Sequence, residues 1–515
     1  MQVFHGKIIT CDKNNTVANY LVEREGRIAY IGDELPMQYE DIPPIELGNK
    51  ACIPAFVDTH NHYSSFSIFH SIFPIPNTKS NASILEHLRE YAKDSKENFI
   101  VGFGASEYGV EEKHLILKEQ LDAICPDKPL LVIKKDGHSG VANSVLVEMM
   151  KSRAVNIRGY NAATGELTQE SFSIAMEIAN KNLSTKRVIE AMMDTFDFLA
   201  GRGIGVIHSA SGLGFVRDYD FDMERSVAKG LDNGMQMRVA YQTDDVPKAV
   251  KKELNRIVYV DLDGTFDNRD AYLTEDYASV SNRGISFCSD EDLLKFCLEA
   301  NRAGKQIALH AVGDAAFDQA AFALSAALED YPRYDHRHMI LHASLPTDRG
   351  LKICAKYGIM LSTSFNTLLN SEAEYSFLVE HLSEERVKNI NPLKRCLDYG
   401  VEVCFNSDAP STEPNPIMWI ANACNHIDKE QSVDIKDALK MATYYGARAC
   451  FDERERGTLE MGKRCDIVIL DANPYEVPTE ELYNLRVLQL YLGGKPYEHT
   501  RSGAMATMLR GMFPQ

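Results

Sequence analysis

The sequence of 515 residues contains no uninterrupted apolar run of about 18 residues, the length that a membrane-spanning helix requires. The first residues, Met1 to Lys7, also lack the basic segment followed by an apolar core that marks an export signal. We therefore expect neither a membrane anchor nor export.

Paired cysteine motifs are also missing. The 11 cysteines are scattered without any CxxC spacing, and several of them, including Cys297, Cys404 and Cys424, fall in apolar segments. Cysteine used in this way behaves as a small buried hydrophobic residue and is typical of a reducing compartment. The pattern argues against a disulfide framework and indicates a cytoplasmic protein.

Positive charge is in deficit, with 55 Lys and Arg against 74 Asp and Glu and a net charge of −19. A field of this sign repels phosphate backbones and anionic membrane surfaces. Nucleic acid and membrane are therefore not expected as partners, and a small molecule is. The sequence also shows no internal repeat and no low-complexity tract.

The two ends of the chain have a similar texture of short apolar strands broken by turns. Strands are predicted at 2–10, 20–25 and 27–31, and again at 464–471 and 487–492. Two β-rich ends around a different middle predict one small composite β-sandwich domain, made of residues 1–53 and 452–515.

The middle of the chain, residues 54–451, alternates apolar runs with helical patterns. The runs do not alternate in polarity, which is typical of strands buried on both faces. They lie at 51–58, 205–209, 237–242, 257–262, 306–310, 339–342, 359–364 and 401–408. Eight such units predict an α/β fold with a (β/α)8 TIM-like barrel, whose chemistry lies at the carboxyl ends of the strands.

The stretch between His62 and His208 is far longer than one crossover helix needs. Long loops of this kind usually carry function or their own structure. We therefore predict an inserted α+β subdomain at about residues 75–200, placed over the barrel mouth, where it shapes the substrate pocket.

A pair of histidines, His60 and His62, ends the first barrel run. Residues i and i+2 of an extended strand point to the same side, so the two imidazoles can reach one metal ion. A strand HxH pair is as often two hydrogen-bonded histidines, and further ligands decide between these interpretations.

Three more polar residues stand at the ends of later runs: His310, His342 and Asp408. Because the carboxyl ends of barrel strands converge on one face, these three residues would meet His60 and His62 around one point. Nitrogen and carboxylate ligands suit Zn²⁺, and Fe²⁺ or Mn²⁺ fit the same donors.

Motifs along nearly the whole chain resemble the amidohydrolase superfamily, in the branch that has a long insertion after the first barrel strand and includes enzymes similar to N-substituted formamide deformylase. The motifs are PAFVDTHNH at 54–62, DGHS at 136–139, HAVGD at 310–314, LHA at 341–343, SDAP at 407–410 and GTLEMGKRCD at 457–466. No single motif is specific, but the set is.

The resemblance implies that the metal ligands are His60, His62, His310 and Asp408 and that His342 is either a ligand of a second metal or a group that orients the attacking water. Two-metal members carry a carboxylated lysine on the fourth strand, where the alignment places Tyr259. We therefore expect one divalent ion, with Asp261 or Asp263 as the remaining route to a second.

The activity expected from this resemblance is hydrolysis of a non-peptide carbon–nitrogen bond in an amide, formamide or cyclic amide. A metal-activated water would attack, with Asp408 as general base and then acid and His342 as a catalytic partner. Deamination of an amino-substituted heterocycle is the nearest alternative, and a non-catalytic metal-binding homologue is another. His138 and His208 are candidate substrate-binding residues, and a homodimer is the expected assembly on base rates alone.

Overall fold

The computed structural model describes residues 1–72, 80–95, 97–107, 110–134, 137, 139–182, 185–211, 219–252, 254–259, 261–364, 372–499 and 503–512.

The strands of the described residues are numbered in chain order. They are β1 (Gln2–Ile9), β2 (Val17–Arg24), β3 (Arg27–Gly32), β4 (Ile45–Pro54), β5 (Phe56–Asn61), β6 (Ile100–Ala105), β7 (Leu130–Lys134), β8 (Ser139–Ala142), β9 (Glu166–Thr168), β10 (Ile204–Ser211), β11 (Gln236–Gln242), β12 (Arg256–Val258), β13 (Gln306–Ala311), β14 (Met339–His342), β15 (Met360–Ser364), β16 (Val403–Asn406), β17 (Ile467–Leu470), β18 (Val487–Leu492) and β19 (Lys495–Pro496).

The helices are numbered in the same way. They are α1 (Tyr63–Ile72), α2 (Asn81–Asp94), α3 (Lys118–Ile124), α4 (Ser144–Ala154), α5 (Gln169–Lys181), α6 (Thr185–Gly201), α7 (Tyr219–Gly230), α8 (Val246–Lys251), α9 (Asp290–Arg302), α10 (Asp314–Asp330), α11 (Asp348–Tyr357), α12 (Glu372–Leu382), α13 (Glu384–Lys388), α14 (Leu393–Asp398), α15 (Pro416–Cys424), α16 (Ile435–Ala442), α17 (Tyr444–Ala449) and α18 (Ala504–Met512).

Eight parallel strands form the central sheet, in the order β16-β15-β14-β13-β12-β11-β10-β5. Helices follow the strands along the chain, so this sheet is the predicted TIM-like barrel. One predicted run was wrong: residues 51–58 do not form a single strand, because the chain changes sheets at Ala55. Its N–H bonds to the carbonyl of Asp466, whereas the N–H of Phe56 bonds to Gly203.

Strands from both ends of the chain share a second sheet of seven strands, in the order β19-β18-β17-β4-β1-β2-β3. Strand β4 joins the two ends, since it pairs in parallel with β1 and antiparallel with β17. This sheet is the predicted composite β domain. The limits of that domain, 1–53 and 452–515, and of the barrel domain, 54–451, stay predictions.

The segment after β5 carries its own sheet of four strands, in the order β6-β7-β8-β9. Its apolar side chains form a separate core that includes Leu88, Ile100, Leu121 and Val132. An inserted α+β layer is therefore present, and its predicted limits of 75–200 stay a prediction.

Side-chain caps explain where several barrel helices begin. The hydroxyl of Ser289 accepts the N–H of Asp292 at the start of α9, and Thr347 does the same for α11. Helix α11 ends at Gly358, whose φ of +69° favours glycine. The 11 cysteines are all free thiols, and none of the described helices is both long and apolar enough to cross a membrane.

Candidate metal centre

The two histidines of the HxH pair lie at the carboxyl end of β5. His60 is buried, with 3 % of its surface exposed, and His62 follows the strand. Their ring centroids are 5.1 Å apart. The pair therefore faces the barrel mouth together, as the strand geometry predicts.

Asp408 follows β16 and completes the cluster. Its Oδ1 lies 3.3 Å from Nε2 of His60 and 3.6 Å from Nε2 of His62. The backbone holds the carboxylate in place, because the N–H of Asp408 donates to the carbonyl of His60 at 3.0 Å. Asp408 has a φ of +50°, a left-handed conformation that is costly for a residue other than glycine and is often found at functional sites.

The electrostatics of the cluster favour an ionised carboxylate. Burial alone would raise the pKa of Asp408, but the charge of His342 and hydrogen bonds from His60 and His62 hold it well below its usual range. Burial lowers the pKa of His60. For His62 the carboxylates of Asp408 and Asp261 outweigh burial and raise the pKa.

His310, in β13, lies beside His342, with ring centroids 4.5 Å apart, and the ring centroid of His342 is 6.0 Å from that of His60. Its Nδ1 is 3.2 Å from Oδ1 of Asp263. Burial opposes protonation here, but the carboxylates of Asp261 and Asp263 outweigh it and raise the pKa of His310 to about 9. The contact with Asp263 is an ion-pair distance without hydrogen-bond geometry at Nδ1, and Nε2 is the other ring nitrogen that could bind a metal ion.

The carboxylate of Asp263, although it lies in a loop, is held in place by backbone N–H groups. It is 1 % exposed. It accepts three backbone N–H groups, those of Tyr272, Val312 and Gly313. The carboxylate is engaged with these donors, and within the described residues it is not part of the group that can hold a metal ion.

His342 ends β14 and has a φ of +64°. Its Nδ1 lies 3.1 Å from the hydroxyl of Ser364. The hydroxyl proton of Ser364 is donated to Asn406 at 2.6 Å, so Nδ1 of His342 is the donor to Ser364. This network continues inward through Ser362 and Thr59. It fixes the ring plane of His342 and leaves Nε2 as its second functional atom.

The donors of the cluster fit a divalent ion. In the described part of the chain, His60, His62 and Asp408 form the group whose ligand atoms lie within 4.8 Å of one another. Bonds of about 2.1 Å in a tetrahedron separate two ligand atoms by roughly 3.4 Å. The distances of 3.3 and 3.6 Å agree with this value. His310 lies outside that group, so its role as a ligand stays a prediction.

Of the two residues predicted to bind substrate, the structure describes only His208. His138 lies outside the described residues. His208 is buried in β10, three residues before the strand ends, and its Nδ1 is 3.4 Å from Sγ of Cys450. Burial and the charges of Arg256 and Arg238 hold the pKa of His208 well below its usual range. Its role in substrate binding stays a prediction.

The placement of Tyr259 at the position of a metal-bridging lysine needs correction. Its ring packs on Phe296 of α9, at 4.6 Å between centroids, and its hydroxyl lies 2.8 Å from Sγ of Cys288. The preceding residue, Val258, packs with side chains of the other barrel strands, such as Ala308 and Cys404. Side chains alternate along a strand, so Tyr259 faces away from the ligands. The sequence still has no lysine between Lys252 and Lys295, so the absence of a carbamate donor on this strand remains.

Several residues that support the site were not identified from the sequence. Asp58 of β5 is fully buried. Its carboxylate accepts the N–H of Ser407, just after β16, at 2.9 Å and the side-chain amide N–H of Asn61 at 3.0 Å. Burial raises the pKa of Asp58 to about 6. The sequence did contain a signal for Asp58, which is a carboxylate inside an apolar run. Buried acids normally have specific partners, so this position could have been identified as one with a supporting role.

The chain is similar to known proteins over most of its length. A model of the amidohydrolase family matches residues 45–497. N-substituted formamide deformylase of Arthrobacter pascens is 24 % identical over 98 % of this chain and 99 % of its own, and the putative amidohydrolase YtcJ of Bacillus subtilis is 23 % identical over 88 % and 89 %. A crystal structure of an uncharacterized metal-dependent hydrolase from Pyrococcus furiosus shares the fold, with a TM-score of 0.73, 23 % identity and coverage of 92 % of this chain and 100 % of that one. With a family match this extensive, and with a candidate metal site of His60, His62 and Asp408 at the barrel mouth, the chain belongs to the amidohydrolase family.

Proposed function

We propose that this amidohydrolase is a metal-dependent hydrolase that cleaves a non-peptide carbon–nitrogen bond in an amide, a formamide or a cyclic amide. The observation that carries the proposal is the approach of both HxH histidines to one carboxylate oxygen of Asp408, at 3.3 and 3.6 Å. The full-length similarity to N-substituted formamide deformylase supports the choice of bond.

The ligands in this proposal are His60, His62, His310 and Asp408. A bound divalent cation, Zn²⁺ by preference and Fe²⁺ or Mn²⁺ by ligand type, would polarise the substrate carbonyl and lower the pKa of a water molecule. We assign one such ion to each chain. The Asp263 carboxylate, 3.2 Å from Nδ1 of His310, supports the assignment of His310 because a carboxylate beside one ring nitrogen is the usual companion of a histidine that binds a metal through the other.

Proton transfer in this mechanism belongs to Asp408. Its pKa lies well below the usual range, so the carboxylate is ionised at neutral pH and can take a proton from the attacking water. The same proton then passes to the leaving nitrogen as the carbon–nitrogen bond breaks. The products are a carboxylate and an amine.

His342 stabilises the charge that develops on the carbonyl oxygen. Its Nδ1 is held by Ser364, so Nε2 is the nitrogen that reaches the substrate. With a proton on Nε2, His342 donates a hydrogen bond to that oxygen. His138 and His208 are assigned to substrate binding.

A substrate panel tests this proposal. Protein loaded with Zn²⁺, Fe²⁺ or Mn²⁺ is incubated with N-benzylformamide, N-benzylacetamide, a cyclic amide and an aminopurine, and released amine, carboxylate and ammonia are measured. We expect carboxylate and amine from at least one amide. Ammonia from the aminopurine alone would show the deaminase alternative, and no turnover with metal bound would favour a non-catalytic homologue. Two ions per chain, both needed for activity, would contradict the single-metal assignment.

A further inference from the structure

Three loops that follow barrel strands meet around an ion pair of a buried lysine and a half-buried glutamate. Glu107 follows β6 and Lys134 ends β7, both in the insertion after β5, and Nζ of Lys134 is 3.0 Å from Oε1 of Glu107. The same Nζ is 3.5 Å from Oδ1 of Asn268, in the loop after β12. His381 belongs to α12, after β15, and is joined to the β12 loop through the N–H of Ala278, which donates to its carbonyl at 2.7 Å.

Two side chains in this region, the buried His381 and the half-buried Glu107, carry buried polar atoms without a hydrogen-bond partner in the described residues. His381 is 6 % exposed, and neither of its ring nitrogens has a hydrogen-bond partner in the described residues. Oε2 of Glu107 is also buried without a partner there. Buried polar atoms are nearly always paired, so three unpaired atoms in one region indicate a group that completes them.

The region adjoins the metal centre. The N–H of Gly137 donates to the carbonyl of Lys134, and a Cβ on Gly137 would lie 4.0 Å from Oγ of Ser411. The N–H of Ser411 in turn donates to the carbonyl of Asp408 at 2.9 Å. The insertion therefore contacts the turn that carries Asp408, and the loops after barrel strands are where such enzymes bind substrate.

The charges of the region select a neutral ligand. Glu107 is paired with Lys134, and the imidazole of His381 is influenced by Arg269 as well as by Glu380 and Glu107. Burial and Arg269 together lower the pKa of His381 despite the two glutamates. A neutral imidazole has one donor and one acceptor nitrogen, and Oε2 of Glu107 is an acceptor. The complementary group both donates and accepts hydrogen bonds.

We propose that Glu107 and His381 form a substrate subsite for a neutral carboxamide or hydroxyl group, carried by the substrate away from the bond that is cleaved. This inference rests on the proposed hydrolysis of amides and names the substrate class within it. This substrate group would donate one hydrogen bond to Oε2 of Glu107. It would accept a second hydrogen bond from the ring of His381 or donate one to it.

Matched formamides test the subsite. The probes are N-benzylformamide and its 2-, 3- and 4-carbamoyl derivatives, and the readout is the ratio of kcat/KM for the best derivative to that for the parent. We expect a ratio of about 10 or more in the natural protein, from hydrogen bonds to buried partners. The ratio should fall to near 1 in His381→Phe and Glu107→Gln. The exposed controls His87→Phe and Glu111→Gln should leave it unchanged.

Stability separates a subsite from a structural role. Phenylalanine at 381 keeps the packing on Phe377, whose ring centroid is 4.1 Å away, and removes the unpaired nitrogens. His381→Phe should therefore raise Tm while it abolishes the preference. A lower Tm with an unchanged ratio, or a natural ratio near 1, would overturn the proposal.

If no formamide is turned over, the proposed function fails for that class, and the subsite is tested by binding. Calorimetry then compares the carbamoyl benzylamines with benzylamine. At least 10-fold tighter binding of one carbamoyl amine, lost in His381→Phe, would support the subsite. Equal binding would overturn it.

Discussion

In the proposed mechanism Asp408 has two tasks that one substitution can separate. It is close enough to both HxH histidines to share an ion with them, and its low pKa keeps it ionised as a proton acceptor. Asparagine retains an oxygen that can bind a metal but cannot take up a proton at neutral pH.

Asp408→Asn should therefore keep much of the bound metal and lose turnover by about 10²- to 10⁴-fold, the usual contribution of general acid–base catalysis. Bound metal is measured by elemental analysis and kcat on the best amide substrate. Asp41→Asn, at an exposed aspartate, is the control. A near-normal rate would remove Asp408 from the mechanism.

Glu224 of α7 holds the residues that follow the HxH pair. Its Oε1 accepts the N–H of Ser64 at 2.9 Å and also the hydroxyl of Ser64. The side chain is 1 % exposed. Burial, together with the nearby charge of Asp220, raises the pKa of Glu224 to about 7.

The raised pKa makes stability depend on pH. The folded protein binds a proton at Glu224 more tightly than the unfolded chain, so the stabilisation is complete below about pH 4.3 and is lost as the pH rises through 7. The loss amounts to at most about 4 kcal/mol. Glu224→Gln removes it, so thermal unfolding of metal-free protein should show the variant gaining stability over the natural chain from pH 5 to pH 8. Glu111→Gln, at an exposed position, should show no such gain, and parallel pH profiles would contradict the assignment.

At the scale of elements, helix α17 closes the barrel at the end opposite the ligands. Ala447 and Cys450 form a small core with Val57 of β5 and Val206 of β10. The helix approaches so closely that a Cβ on Gly446 would lie 2.8 Å from Cβ of Val57. Glycine is required here by the approach of the two elements.

Gly446→Ala should consequently destabilise the fold by about 1–3 kcal/mol, the usual cost of overpacking. The control is Gly201→Ala at the end of α6, where nothing lies within 4 Å of the added Cβ. That change should be neutral or stabilising by less than about 1 kcal/mol. Unfolding midpoints in urea measure both, and equal midpoints for the two variants would contradict the packing argument.

The sequence predicts most strands because buried parallel strands have continuous apolar runs. Strand β14 has the predicted bounds, Met339–His342, and β10 extends two residues beyond its predicted end at Ser209. The placement of Tyr259 at the lysine position was wrong, and β12 there is only three residues long, Arg256–Val258. Such a short strand does not fix by pattern which side chains face inward.

Side-chain contacts between residues far apart in the sequence were not predictable from periodicity. The pairing of Asp263 with His310 and that of Ser364 with His342 join different loops and strands. A linear pattern identifies the ends of strands, where the candidate ligands lie, but not the side chains that contact those candidates. The ligand candidates were therefore found from the sequence and their supports were not.

At the scale of the molecule, the candidate ligands lie across the seam where the barrel closes. Strands β5 and β16 are the two edges of the eight-stranded sheet. The seam is closed by the N–H of His62 donating to Ala409 at 2.8 Å and by the hydroxyl of Thr59 donating to Phe405 at 2.8 Å. An ion bound by His60, His62 and Asp408 would therefore join the two edges of the barrel.

Removal of the ion should open this seam first and lower the thermal unfolding midpoint of the whole chain. Binding to the folded state alone stabilises by about 2.7 kcal/mol when free metal is 100-fold above Kd. Protein treated with a chelator should unfold at a lower temperature than protein loaded with Zn²⁺, and added Zn²⁺ should restore the midpoint. His60→Ala should lose this response because the ion loses one of the three clustered ligands, whereas the exposed His87→Ala should keep it. A His60→Ala variant that still responds to Zn²⁺ would place the stabilising ion elsewhere in the molecule.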